Sequence, residues 1–197
     1  MRVRDSTICD NLRMRTPTDK SEYSAALRQC WASLGIPISM ITERGLPTYA
    51  EAAALAIAET GHVGRELRLV PAAEKAWSAM KSAAADHDVR IHFVSVHRSV
   101  ARQIAIIEAK LQAGQTPEQI FAVSAPPGCS EHHTGRAVDV GTSDSPALEI
   151  EFESTPAFRW LLESANQFGF TLTYPQDNRW GYAYEPWHWC WHDTPQV

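Results

Sequence analysis

The spacing of apolar residues changes period several times along the chain, and each change predicts an element. Over residues 20–34, Tyr23, Leu27, Cys30, Trp31 and Leu34 fall on one helical face, with Gly35 where a helix C-cap commonly sits. The Gly35-Ile36-Pro37 break leads to Thr48-Tyr49-Ala50-Glu51, a capping-box pattern that predicts a second, alanine-rich helix ending near Gly61. Pro71 opens a third helix with Trp77, Met80 and Ala84 on one side, and residues 90–96 then alternate as a strand does. From Ser99, the positions of Ile104, Ile107 and Leu111 return to helical spacing until Gly114, and Thr116-Pro117 caps one further short helix.

Pro126-Pro127-Gly128 makes residues 124–128 a loop. Beyond it the pattern predicts a short buried strand over 137–141. A helix follows, opened by Thr155-Pro156, carrying Phe158, Leu161, Leu162, Ala165 and Phe168, and closed by Gly169. Residues 170–174 and 184–191 read as strands. Helices and strands do not alternate regularly, so the expected class is α+β with a small antiparallel sheet and flanking helices.

Composition narrows the function classes. A chain of 197 residues, 44% hydrophobic and 21% charged, suits one catalytic domain with an accessory segment, and no apolar run approaches the roughly 20 residues that span a bilayer. With 23 acidic against 18 basic residues the net charge is -5, so no basic field gathers phosphate backbones and nucleic acid is not an expected partner. Residues 1–20 alternate charge and polarity without the apolar stretch of a secretory signal, so the chain as written shows no Sec-type export address. Cys9, Cys30, Cys129 and Cys190 lack close metal-site spacing and are too few for a disulfide scaffold. They read as buried thiols, with a Cys129–Cys190 pairing or oxidative sensitivity as the alternative.

Two segments carry candidate chemistry. Ser130-Glu131-His132-His133-Thr134-Gly135-Arg136-Ala137-Val138-Asp139 and Glu185-Pro186-Trp187-His188-Trp189 together supply imidazoles, a carboxylate and a spare glutamate. Catalytic zinc takes three protein ligands and keeps a position for water, which a nearby base helps to activate. His132, Asp139 and His188 can be those ligands, and Glu185 that base. Each segment also has a plainer reading. A lone His and Asp at this distance serve as loop polar contacts, and an aromatic strand with an incidental surface acid accounts for the second segment. Pro186 disfavours helix before it, so Glu185 and His188 belong to an extended or tightly turned segment.

Residues 126–139, P-P-G-C-S-E-H-H-T-G-R-A-V-D, resemble the SxHxxGxAxD signature of the VanY-like D-alanyl-D-alanine carboxypeptidases, and E-P-W-H-W resembles their second signature. Arg98-Ser99 with Gln103 resembles the family's R-S-x-x-x-Q segment, and the three elements occur in the family's order. The resemblance runs from about residue 67 to 192. It implies a hedgehog/DD-peptidase-like zinc fold over 67–197; residues 1–66 lie outside the resemblance and are expected, from their helical patterning, to be an accessory segment. It implies Zn2+ on His132, Asp139 and His188, with Glu185 as general base and then acid. Arg98 would hold a substrate carboxylate or the oxyanion, and Ser130 and Gln103 would hydrogen-bond the peptide.

The implied substrate is a peptidoglycan stem peptide or precursor ending in D-alanine, which points to the cell envelope. L,D-carboxypeptidase or endopeptidase activity with the same chemistry, and a zinc-containing peptide-binding module, are the alternatives. Relatives with E-W-W-H or D-x-x-H second motifs are dipeptidases or endopeptidases, so Glu185-Pro186 tilts this chain toward carboxypeptidase. Cys129 and His133 stand where Tyr and Gln are more usual, and Val96-His97 where Gly-Tyr commonly precedes the arginine. These departures are expected to line the cleft. The S-x-H spacing selects His132 over His133, and His192 is expected outside the ligand set.

Overall fold

The structure, a computed structural model, describes residues 23–193. The readings of residues 1–20 and of Cys9 lie outside that span. The described residues form two compact units. One comprises 23–51, 98–133 and 179–182, and the other 52–97, 134–178 and 183–193.

The first unit is helical. Helix α1 (Ala25–Ser33) starts where the Ser24 side chain accepts the Leu27 amide, and it buries Leu27, Cys30 and Trp31. A six-residue helix α2 (Ile38–Glu43) follows Pro37, where the sequence pattern suggests only a break. Ser99 caps α4 (Val100–Gln112), and a reciprocal Thr116/Gln119 capping box starts α5 (Pro117–Val123). Their apolar faces meet in a core of Leu27, Trp31, Ile41, Ile107, Ile120 and Phe121.

The helix expected over 48–61 does not form. Residues 46–55 are irregular, and β1 (Ala56–Thr60) pairs antiparallel with β2 (Glu66–Leu69). The capping-box carboxylate has another partner: Glu51 Oε1 accepts the Val100 amide at 2.5 Å, and the Tyr49 amide donates to the Gly128 carbonyl at 2.8 Å. Partners distant in sequence thus outcompete the local helical bonds.

The second unit holds the main sheet, antiparallel throughout, in the order β3 (His92–Ser95), β4 (Ala137–Gly141), β6 (His188–Trp191), β5 (Phe170–Leu172). Helix α3 (Pro71–Asp86) packs Trp77, Met80 and Ala84 into its core, with the Trp77 ring stacked on Phe93 at 4.1 Å. Helix α6 (Pro156–Ser164) adds Phe158, Trp160 and Leu161. Alternation along the strands separates two faces. Val138 and Val140 of β4 and Trp189 and Trp191 of β6 enter the core, which leaves Asp139 and His188 on the opposite face.

Among the described residues, no helix is long and apolar enough to cross a membrane. Cys30, Cys129 and Cys190 are buried and form no disulfide, so the alternative Cys129–Cys190 bridge is absent.

Candidate metal centre

Strand register brings the first two candidate ligands together. Asp139 of β4 lies opposite His188 of β6, and opposed residues on one face of an antiparallel pair are nearest neighbours. His188 Nδ1 stands 3.0 Å from Asp139 Oδ1, with both side chains nearly closed to solvent. The third candidate, His132, lies on a 3-10 turn (Glu131–Thr134). One ligand-capable atom from each of His132, Asp139 and His188 falls within 4.8 Å of the others, and all three residues are buried. Donors held at roughly 2.0–2.2 Å by a tetrahedral zinc stand roughly 3.4 Å apart, so this donor set fits such an ion in number, type and spacing. His133 and His192 are outside the group.

Gly135 joins the turn to β4 in a left-handed conformation, φ 67°, which favours glycine. A Cβ there would stand 2.8 Å from Leu55 Cδ2 and 3.2 Å from the Val70 amide nitrogen, which itself donates to the Gly135 carbonyl at 2.9 Å. Glycine is therefore required both by the turn and by the close approach of residue 70.

Pro186 and Trp187 occupy the centre of a β-turn closed by the His188 amide on the Glu185 carbonyl at 3.1 Å. Proline's fixed φ suits the second position of such a turn. Strand β6 therefore begins at His188, four residues later than the strand expected from 184. The turn brings Glu185 Oε2 to 3.9 Å from His188 Nδ1, while the Glu185 carboxylate keeps partial access to solvent. The Glu185 amide donates to Tyr174 O at 3.0 Å, the Trp189 indole N–H donates to Pro186 O at 3.0 Å, and the Tyr174 ring packs 4.7 Å from the His188 ring. Tyr174 thus holds the Glu185 main chain and packs on the His188 ring, and only its place at the end of an aromatic strand could have suggested this.

The remaining candidates lie in the helical unit. Arg98 immediately precedes the cap of α4, and its amide donates to the His132 carbonyl at 3.1 Å. Gln103 is buried on α4, its Nε2 donating to Ala125 O at 2.7 Å, while Oε1 has no hydrogen-bond partner among the described residues. Ser130 is buried, and its carbonyl accepts the His133 amide at 3.1 Å.

His133, expected to line a cleft, is instead wholly buried. It receives the Gly128 amide on Nε2 at 3.1 Å and places Nδ1 2.6 Å from the Arg98 carbonyl. Cys129 is also buried rather than cleft-lining, and its thiol is pushed far up from the ordinary range by desolvation, with Arg44 pulling weakly the other way.

A family model described as VanY, D-alanyl-D-alanine carboxypeptidase, matches residues 66–194. The putative carboxypeptidase YodJ of Bacillus subtilis (strain 168) is 34% identical over 121 residues, which span 59% of this chain and 43% of that protein. The chain thus covers less than half of that relative's length. Among solved structures, the LdcB LD-carboxypeptidase superposes with a TM-score of 0.65 at 29% identity, covering 74% of this chain and 71% of that one. A vancomycin-resistance D,D-pentapeptidase VanY from a VanB-type cassette, solved in complex with Zn(II), superposes with a TM-score of 0.54 at 29% identity, covering 70% and 78%.

Proposed function

The chain belongs to the VanY D-alanyl-D-alanine carboxypeptidase family, and from that premise we propose that it is a zinc-dependent peptidase removing a terminal D-alanine from peptidoglycan stem peptides or their precursors. The observation that carries this reading is the buried His132, Asp139 and His188 donor group with the Glu185 carboxylate 3.9 Å from one of its imidazoles. His132, Asp139 and His188 would hold the metal. Zinc bound there supplies Lewis-acid polarisation of the scissile carbonyl and a water of lowered pKa.

The chain's own groups then divide the work. Glu185 takes the proton that the attacking water releases and passes it to the leaving amine nitrogen, so one carboxylate serves as base and then acid. The Arg98 guanidinium binds the substrate's terminal carboxylate, where two parallel N–H donors match two oxygens. Ser130, and the Gln103 Oε1 that no described residue engages, hydrogen-bond the peptide backbone. Residues 67–197 form the catalytic domain in this reading. Residues 1–66 are accessory in this reading; of their described part, 23–51 fold in the unit that also contains 98–133, and 52–66 fold in the other, where β1 pairs with β2 across the 66/67 boundary.

The likeness to an LD-carboxypeptidase favours a second reading, in which the bond cut lies between an L-configured centre and D-alanine. Zinc-loaded protein given muramyl pentapeptide and tetrapeptide, with products weighed by mass spectrometry, separates the two. Loss of D-alanine from the pentapeptide alone supports the D,D reading, and loss from the tetrapeptide supports the L,D reading. Glu185→Ala should keep stoichiometric zinc and lose about a hundred- to ten-thousand-fold in kcat. His188→Ala should lose both metal and activity. Parent-level turnover by Glu185→Ala would remove its assignment as base.

A further inference from the structure

The proposed chemistry leaves His133 without a task, although it is the residue next to a candidate ligand and is 0% exposed. Both of its ring nitrogens are engaged. The Gly128 amide can only donate, so at 3.1 Å it requires Nε2 to be the acceptor, and the ring hydrogen then resides on Nδ1. Nδ1 stands 2.6 Å from the Arg98 carbonyl and donates to it. Arg98's own amide donates to the His132 carbonyl at 3.1 Å. The main chain of Arg98 is therefore held on both sides by the His132-His133 pair.

The other end of the clamp is also fixed. Gly128 has φ 84°, a left-handed conformation, and its carbonyl accepts the Tyr49 amide at 2.8 Å. The preceding Pro127 carbonyl accepts the Trp31 indole N–H at 2.9 Å. His133 thus bridges a braced loop to the residue that carries the guanidinium.

We propose that His133 is a positioning residue that ties the Gly128 amide to the Arg98 carbonyl and thereby sets where Arg98 presents its guanidinium to the substrate carboxylate. The inference rests on the reading of Arg98 given above. Its chemical requirement is specific: one acceptor and one donor, about 2 Å apart on a planar group. A glutamine amide meets that requirement, an asparagine amide is one methylene too short to reach both partners, and a leucine meets neither half of it.

The test uses the full chain loaded with zinc, cleaving whichever of muramyl pentapeptide and tetrapeptide the parent turns over, in His133→Leu, His133→Gln, His133→Asn, Arg98→Ala and the His133→Leu/Arg98→Ala double variant. His133→Leu should raise KM about tenfold, the scale of one or two lost hydrogen bonds, with zinc stoichiometry retained. His133→Gln should return KM to within about twofold of the parent, His133→Asn should fall between, and the double variant should match Arg98→Ala because the two changes share one pathway.

An equal KM penalty for His133→Leu in the parent and Arg98→Ala backgrounds would overturn the proposal. If His133→Leu does not fold, the comparison of Gln with Asn decides, and equal KM values for those two would overturn it. Absence of cleavage of both muramyl pentapeptide and tetrapeptide by the parent, or an Arg98→Ala variant of unchanged KM, would instead remove the reading of Arg98 and this role with it.

Discussion

Cys129 lies between Gly128 and Ser130, in the segment that leads to His132, yet it behaves as part of the core. Its thiol is buried among Leu27, Trp31 and Phe121, and desolvation raises its pKa despite the opposing pull of Arg44. Thiolate is the reactive form, so a thiol held protonated is a poor nucleophile. In the native zinc-loaded protein at pH 8, iodoacetamide should leave Cys129 unmodified for hours, whereas addition of denaturant should expose it at once. Peptide mapping reads the outcome, and rapid native labelling would contradict this account of its burial. The residue identities of the candidate centre were legible because the two motifs are short and carry unusual side chains. What the sequence could not display is the pairing of Asp139 with His188, which follows from strand register, or the two-sided engagement of His133, which depends on partners 5 and 35 residues away.

At the scale of elements, legibility tracked the locality of the interactions. Helices α3, α4, α5 and α6 begin at or beside the Pro, Ser and Thr residues expected to start them, because caps are made within a few residues of the helix they serve. The segment 48–61 misled for the same reason in reverse. Thr48-Tyr49-Ala50-Glu51 has the local grammar of a capping box, but Glu51 turns its carboxylate to the first amide of α4, 49 residues away. That bond satisfies a helix N-terminus with a negative group, an arrangement also favoured by the helix dipole. Glu51→Ala should therefore destabilise the protein by about 1.5–3 kcal/mol, the range for a hydrogen bond to a charged group. Glu51→Gln should lose less, since its amide oxygen still accepts. Urea unfolding followed by circular dichroism measures both, and an unchanged midpoint for Glu51→Ala would show that this contact does not support α4.

For the molecule as a whole, the α+β class and antiparallel sheet were legible in the irregular order of helical and alternating segments, whereas the grouping of residues 23–51 with 98–133 was not, because it depends on which apolar faces meet. The same distance in sequence governs the metal. His132, Asp139 and His188 are drawn from positions as far as 56 residues apart, so an unfolded chain does not hold them within 4.8 Å of one another. A metal that binds this group binds the folded chain preferentially, and the folded state gains RT ln(1 + [L]/Kd). At free zinc one hundred times Kd that gain is about 2.7 kcal/mol. For a chain of this size each kcal/mol moves the midpoint by about 2–4 °C, so zinc should raise Tm by about 5–11 °C. His188→Ala should abolish the shift. Glu185→Ala should retain it, because that carboxylate is assigned to proton transfer and not to the ligand set. Differential scanning calorimetry with and without a chelator separates these cases: loss of the shift in both variants would make Glu185 a ligand, and a shift that survives His188→Ala would place the metal elsewhere.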